Sequence, residues 1–339
     1  MKPQNLALIF LLIAGIIGVF YWALFVPKAE ISSQISKTIA EQEKKADLVF
    51  KEVVFEEIAA GIKYWKLSAR SAMINKSSGI ATLKDSSGTF YRNGKAVLNF
   101  KSPAAIWNMN MKEILLDKPL GYDVNLEGKI ASLIKTLQAS KLSIFNFPRI
   151  YKKEFGYWFQ ANDLSWKLAD QKLVCRGGIV LNKGEVTGYA DKLYGDVGLE
   201  QVMLEGDPRI IISPDHLTPV TLEADKFEVL KSEDLIIAQG NPKIHWNEAV
   251  VMAKEMKYLQ RDERLKLEGS VRITYKDIEA WGDSANYLPA QETILLEGNA
   301  RARQGENKLS GEKVVVSLKD QKISLAGKGK VVITEEDLK

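Results

Sequence analysis

The chain has 339 residues, 46% hydrophobic and 27% charged, with a formal net charge of +4, 24 glycines, 10 prolines, one cysteine and two histidines. That length fits about two domains or one large all-β body, and the apolar fraction excludes wholesale disorder. The lone Cys175 excludes an internal disulfide and any zinc site built on cysteine pairs, and the mild charge, with no basic stripe interleaved with aromatics, argues against nucleic acid.

The first predicted element is Leu6 to Val26, LALIFLLIAGIIGVFYWALFV, a stretch of 21 residues without a charge. At about 1.5 Å per residue it spans a bilayer core of about 30 Å, with Tyr21 and Trp22 near one interface. The run exceeds the apolar core of a cleaved signal peptide, roughly 7–15 residues. Bulky Phe25, Val26 and Pro27 follow in place of a small-residue cleavage site. Residues 1–27 are therefore expected to be a retained single-pass anchor. Lys2 before the span and Lys28 and Lys37 after it do not decide its orientation, while the short tail favours a cytoplasmic N-terminus. Residues 28–50 read as a helical stalk, because Ile31, Ile35 and Ile39 recur every four residues before the solvated run Glu41 to Lys45.

From about residue 51 the chain has strand character. In Lys266 to Tyr275, Leu267, Gly269, Val271, Ile273 and Tyr275 share one face, and polar residues fill the other. The chain also repeats. An apolar-x-Gly motif recurs at Gly177, Gly206, Gly240, Gly269, Gly298 and Gly327, at spacings of 29, 34, 29, 29 and 29. A small residue stands 16 positions before each one: Ala161, Ala190, Ala224, Ala253, Gly282 and Gly311. Degenerate units fit upstream, with Ala69 matched to Asp85 and Ser102 to Lys118, and Ile114 to Leu120 resembles Ile294 to Ala300.

The apolar parity flips just after the small residue, as from Leu222 and Ala224 to Phe227 and Val229. A bulge or corner at the intervening pair keeps both sets inside. The expected fold is all-β: an elongated antiparallel β-sandwich or jelly roll of stacked two-strand repeats, following one transmembrane helix. Polar turns such as Lys231 to Asp234 and Arg261 to Glu263 join the strands. Lys129 to Leu142 interrupts the strands with helical spacing and reads as a helix packed on the sandwich, or as a partner-binding or gating element.

These features resemble the LptC/LptA (OstA-like) family of lipopolysaccharide-export proteins. The resemblance rests on LEADKFEV, LEGSVRITY, EAWGDSANYL and LLEGNARA within Thr221 to Ile333, and on WKLSARSAMI and SPAAIWN within Gly61 to Asn108. The chain is longer than a plain LptC-like protein. Its expected division is an LptC-like β region over 51–215, carrying the helical insertion near 129–142, and an OstA/LptA-like β region over 216–339.

The resemblance implies a membrane-anchored periplasmic bridge at the inner membrane. It would bind acyl chains of lipopolysaccharide or a related glycolipid, take them from an export ABC transporter, and pair strand edges with another OstA-like bridge protein. The alternative is an anchored scaffold that organises envelope proteins without binding lipid. The candidate lipid-facing residues are the interior ones: Phe227, Val229, Leu267, Val271, Ile273, Tyr287, Leu296, Val314 and Val316. The competing reading is that they fill a closed core. The edge near Lys330 to Thr334 is a candidate docking edge, and Glu335, Glu336 and Asp337 beyond it read equally as guards against unwanted pairing.

No catalytic constellation is present, so no enzyme, cofactor or metal is expected. His216 and His245 occupy equivalent positions 29 residues apart, too few ligands for a metal site. Gly327-Lys-Gly329 lacks the third glycine and the helix of a dinucleotide fingerprint. Cys175 sits at an apolar position and reads as a buried thiol, and Asp191, Asp225 and Asp283 read as bend residues.

Overall fold

The computed structural model describes residues 31–43, 45–132, 156–213, 219–259, 261–262, 264–288 and 291–333. Among these, the strands join into one 24-stranded antiparallel sheet. The segment Leu6–Val26 lies outside the described residues. Among the described ones, no helix is long and apolar enough to cross a membrane.

Each chain passage across the sheet is creased near its middle. The segments on one side of the crease pair among themselves, and so do those on the other. Val220–Glu223 pairs with Lys243–Trp246, whereas Lys226–Leu230 pairs with Leu235–Gln239. The sheet is thus folded into two wings whose apolar faces meet. The first wing runs through 104–108, 163–167, 201–205, 226–230, 264–268 and 293–297. The second runs through 98–101, 157–160, 186–189, 220–223, 249–252 and 271–275. Pairing continues without interruption from 209–212 to 220–223, across the boundary expected at 215/216.

The crease explains the 16-residue offset. Asp225 N–H donates to Gln239 O at 3.1 Å and to Gly240 O at 3.3 Å, and Lys254 N–H divides likewise between Glu268 and Gly269. The residue just after the small one and the later glycine are therefore antiparallel neighbours. The expected bend is present but shared. The small-residue passage changes face, and the glycine passage carries the extra residue, as where Glu268 pairs with Ser284 but Val271 with Gly282. Gly240 adopts φ +80°, and a Cβ there would lie 2.4 Å from the Asp225 Cβ. The upstream units use side-chain residues in the same left-handed conformation: Asp85 at φ +49° and Lys118 at φ +44°. Arg70 pairs with Asp85 across that crease. One crease has no signal in the repeat: it lies at Glu52, φ +50°, within the first strand.

The stalk expectation needs correction at its C-terminal part. Ile31–Glu43 is a helix (α1), but strand begins already at Leu48, inside the span expected to be stalk. Helix α1 also packs on the body, against strands Ile62–Asn75, Lys95–Asn108 and Glu113–Asp117, and Ile35 is buried. Ala81 and Leu83 point into the core, so Thr82 and its partner Ile106 face outward, yet both are buried. A docked helix supplies that cover.

The expected insertion helix begins within the described residues. Residues 127–132 are helical, and Leu126 and Ile130 pack with Leu120, Tyr122 and Trp158 on the outward face of the second wing. The remainder, 133–142, lies outside the described residues.

Candidate ligand-binding cavity

Between the wings in the first part of the chain, large rings fill the space. Trp65, Phe90, Phe100, Phe159 and Trp166 are fully buried, with Phe90 5.0 Å from Phe100 and 5.7 Å from Trp166. Gly121 leaves room for Phe159, whose ring a Cβ at that glycine would strike.

Further along, the interior is aliphatic and hollow. A cavity of about 380 Å³ lies between Ile210, Ile212, Val220, Leu222, Ile244, Trp246, Ala249 and Val251 of the second wing and Ile236, Tyr258, Leu265, Leu267, Tyr287, Ile294 and Leu318 of the first. Trp246 and Tyr287 approach across the gap with centroids 6.0 Å apart. Asn247 and Glu292, in the turns, supply its polar groups at one rim. Burial, and secondarily the Glu292 carboxylate, pushes the Tyr287 phenol up to about 12, so it stays neutral near neutral pH. Such walls offer a polar ligand almost nothing, whereas each buried methylene of an alkyl chain gains about 0.8 kcal/mol. A broader depression of about 480 Å³ opens on the outer surface at the crease, among Asp207, Arg209, Glu223, Asp225 and Lys243. Its lining mixes both signs of charge with Tyr189, Pro208 and Ala224.

The expected lipid-facing residues divide between these environments. Leu267 and Tyr287 line the cavity. Phe227, Val271, Ile273, Leu296, Val314 and Val316 are buried in the core outside its lining, and Val229 packs half-buried against that core. The residues missed are chiefly the second-wing set from Ile210 to Val251. One signal was side-chain size: Ala249, which lines the cavity, stands four residues before the small residue of its unit, where two earlier units carry Trp65 and Tyr157.

The remaining candidates have structural surroundings. Cys175 is fully buried, and burial pushes its thiol well above the ordinary range. His245 is exposed, 3.7 Å from Glu223, while His216 lies outside the described residues. Among the described residues no group of three or more His, Cys, Asp or Glu is placed to hold a metal. The strand Gly329–Val332 is an exposed edge paired with 308–311, and Val331, Val332 and Ile333 face solvent.

A folded antiparallel sheet enclosing an apolar slot defines a β jelly-roll-like protein suited to alkyl ligands. The family model described as "LptA/(LptD N-terminal domain) LPS transport protein" matches residues 221–322, so this stretch is of the OstA-like lipopolysaccharide-transport family. It contains all the cavity-lining residues except Ile210, Ile212 and Val220.

The chain also matches the crystal structure of LptH, described as the LptA homologous periplasmic component of the conserved lipopolysaccharide transport device from Pseudomonas aeruginosa. The identity is 18%, covering 34% of this chain and 96% of that one, with a TM-score of 0.32, a likeness too slight to argue from. No curated protein matches.

Proposed function

We propose that the protein is a periplasmic bridge that shelters the acyl chains of lipopolysaccharide, or of a related glycolipid, between its wings during transport. The observation that carries this reading is the coincidence of the apolar cavity with the stretch matching the transport family. In the same reading, Leu6–Val26 anchors the chain in the inner membrane, and an export ABC transporter delivers the lipid. The chain has no nucleotide-binding motif of its own, so the transporter supplies the energy.

Residues 51–215 form the LptC-like region and 216–339 the LptA-like one. Neighbours join by strand addition at exposed edges such as Gly329–Val332. The sugars and phosphates stay at the rim near Asn247 and Glu292, and the chains lie against Leu267 and its neighbours.

The test is photo-crosslinking in cells from position 267, with the outward Glu268 as control. Glycolipid adducts at 267 and none at 268 are expected. Absence of adducts at 267, or equal yields at both positions, contradicts the proposal.

A further inference from the structure

The seam where the free ends of the wings meet is bridged by polar contacts in the first part of the molecule. Lys112 of the first wing reaches Glu57 of the second at 2.8 Å. A more elaborate bridge surrounds the turn 197–200, between strands Val186–Asp196 and Gln201–Glu205. Arg92, at the tip of the second wing, donates from Nη1 to Asp196 Oδ2 at 2.8 Å and from Nη2 to Glu200 Oε1 at 3.4 Å. Asp196 also accepts from the backbone N–H of Gly198 at 3.0 Å and of Glu200 at 2.7 Å. Lys231 donates to Glu200 Oε1 at 3.1 Å and lies 6.0 Å from the Tyr157 ring centroid, across the seam.

This turn differs from its counterparts. The corresponding left-handed turn position is Lys112, Gln171, Asp234, Glu292 and Gln321 in other passages, and here it is Leu199 at φ +49°. Val197, Gly198 and Leu199 are all buried, and the two side chains join the interior core. Gly198 lies under the guanidinium, since a Cβ there would be 2.8 Å from Arg92 Nη1. Apolar side chains are thus held inward by ionic contacts at the surface, on a backbone conformation disfavoured for leucine. Along the first wing, strands 201–205 and 226–230 separate this turn from Ile236, where the cavity lining begins.

We infer that the turn 197–199 is a gate, latched shut by Arg92, that closes the interior on the N-terminal side of the cavity. Releasing the Arg92 contacts frees Val197 and Leu199 to swing out and opens the slot between the ring-filled region and the hollow one. Its role in passing acyl chains rests on the conduit proposed above, while the opening itself needs no lipid.

The test is thiol labelling of the full-length chain carrying Leu199→Cys, with native Cys175 as internal reference for general loosening of the same core. Arg92→Gln should speed maleimide labelling at position 199 about fivefold, the scale of a partly exposed ion pair, and leave Cys175 unchanged. Added salt should speed labelling at 199 in the Arg92 protein and have little effect once Arg92 is replaced. Val197→Cys gives the same readout if Leu199→Cys does not fold.

An equal rise at both thiols, or no rise at position 199, overturns the gate. A pyrene-labelled fatty acid separates the two ideas. If labelling behaves as expected and this probe does not bind, the gate stands and the conduit fails; if the probe binds and labelling does not respond, the gate alone fails.

Discussion

Between 65 and 166 the space between the wings holds Trp65, Phe90, Phe100, Phe159 and Trp166, all buried, with Phe90 packed on Phe100 and Trp166. Between 210 and 318 the same space is walled mainly by Ile, Leu and Val, with Trp246, Tyr258 and Tyr287 among them, and holds a cavity. Both regions follow one folding rule, a crease every passage, with each small residue 16 positions before the crease that lies beside its own. What differs is the volume placed at interior positions of equal parity. The period of the repeat builds the walls, and the sizes of the inward side chains decide whether those walls enclose a core or a slot. Where the interior is filled, the seam is tied by Lys112–Glu57 and by the Arg92 cluster. Where it is hollow, the Trp246–Tyr287 ring contact spans it.

The strongest challenge to this contrast is truncation in the filled region. Trp166→Ala should cost about 3–5 kcal/mol in urea unfolding, because the ring's neighbours cannot close the void. A cost near zero would mean that the N-terminal interior is not tightly packed. Overfilling sharpens the contrast from the other side. Ala72→Leu, in the closed core, should cost about 1–3 kcal/mol, whereas Ala249→Leu grows into the cavity and should cost less than about 1 kcal/mol. The latter should also weaken fatty-acid binding, measurable by fluorescence titration. Equal destabilisation by the two would argue against a hollow.

The creases carry the smallest effects. Gly240→Ala forces a side chain onto φ +80° and against Asp225 and should cost about 1–2 kcal/mol. Asp85→Gly, at the equivalent N-terminal crease, should be neutral or stabilising by less than about 1 kcal/mol. Thermal unfolding of both variants checks the opposite signs.

Much of this was legible in the sequence, because antiparallel register is written in residue spacing. The offset of Ala224 from Gly240 marks the two creases that lie side by side, and that of Ser102 from Lys118 does so without any glycine. The cavity was less legible. Leu267 and Ile273 share a strand and a face, yet only Leu267 lines the hollow, since emptiness depends on what the opposite wing presents. Docking of α1 was hidden because nothing in the spacing of Ile31, Ile35 and Ile39 names the strands they meet. The Arg92 latch joins residues 104 apart in the chain and leaves no local pattern.

In the proposed conduit, acyl chains occupy the interior beside Trp246. Quenching of tryptophan fluorescence by a brominated fatty acid, compared between the native chain and Trp246→Phe, measures this directly. Saturable quenching in the native chain, largely lost in Trp246→Phe, is the expected result. Quenching that persists undiminished in Trp246→Phe would contradict it.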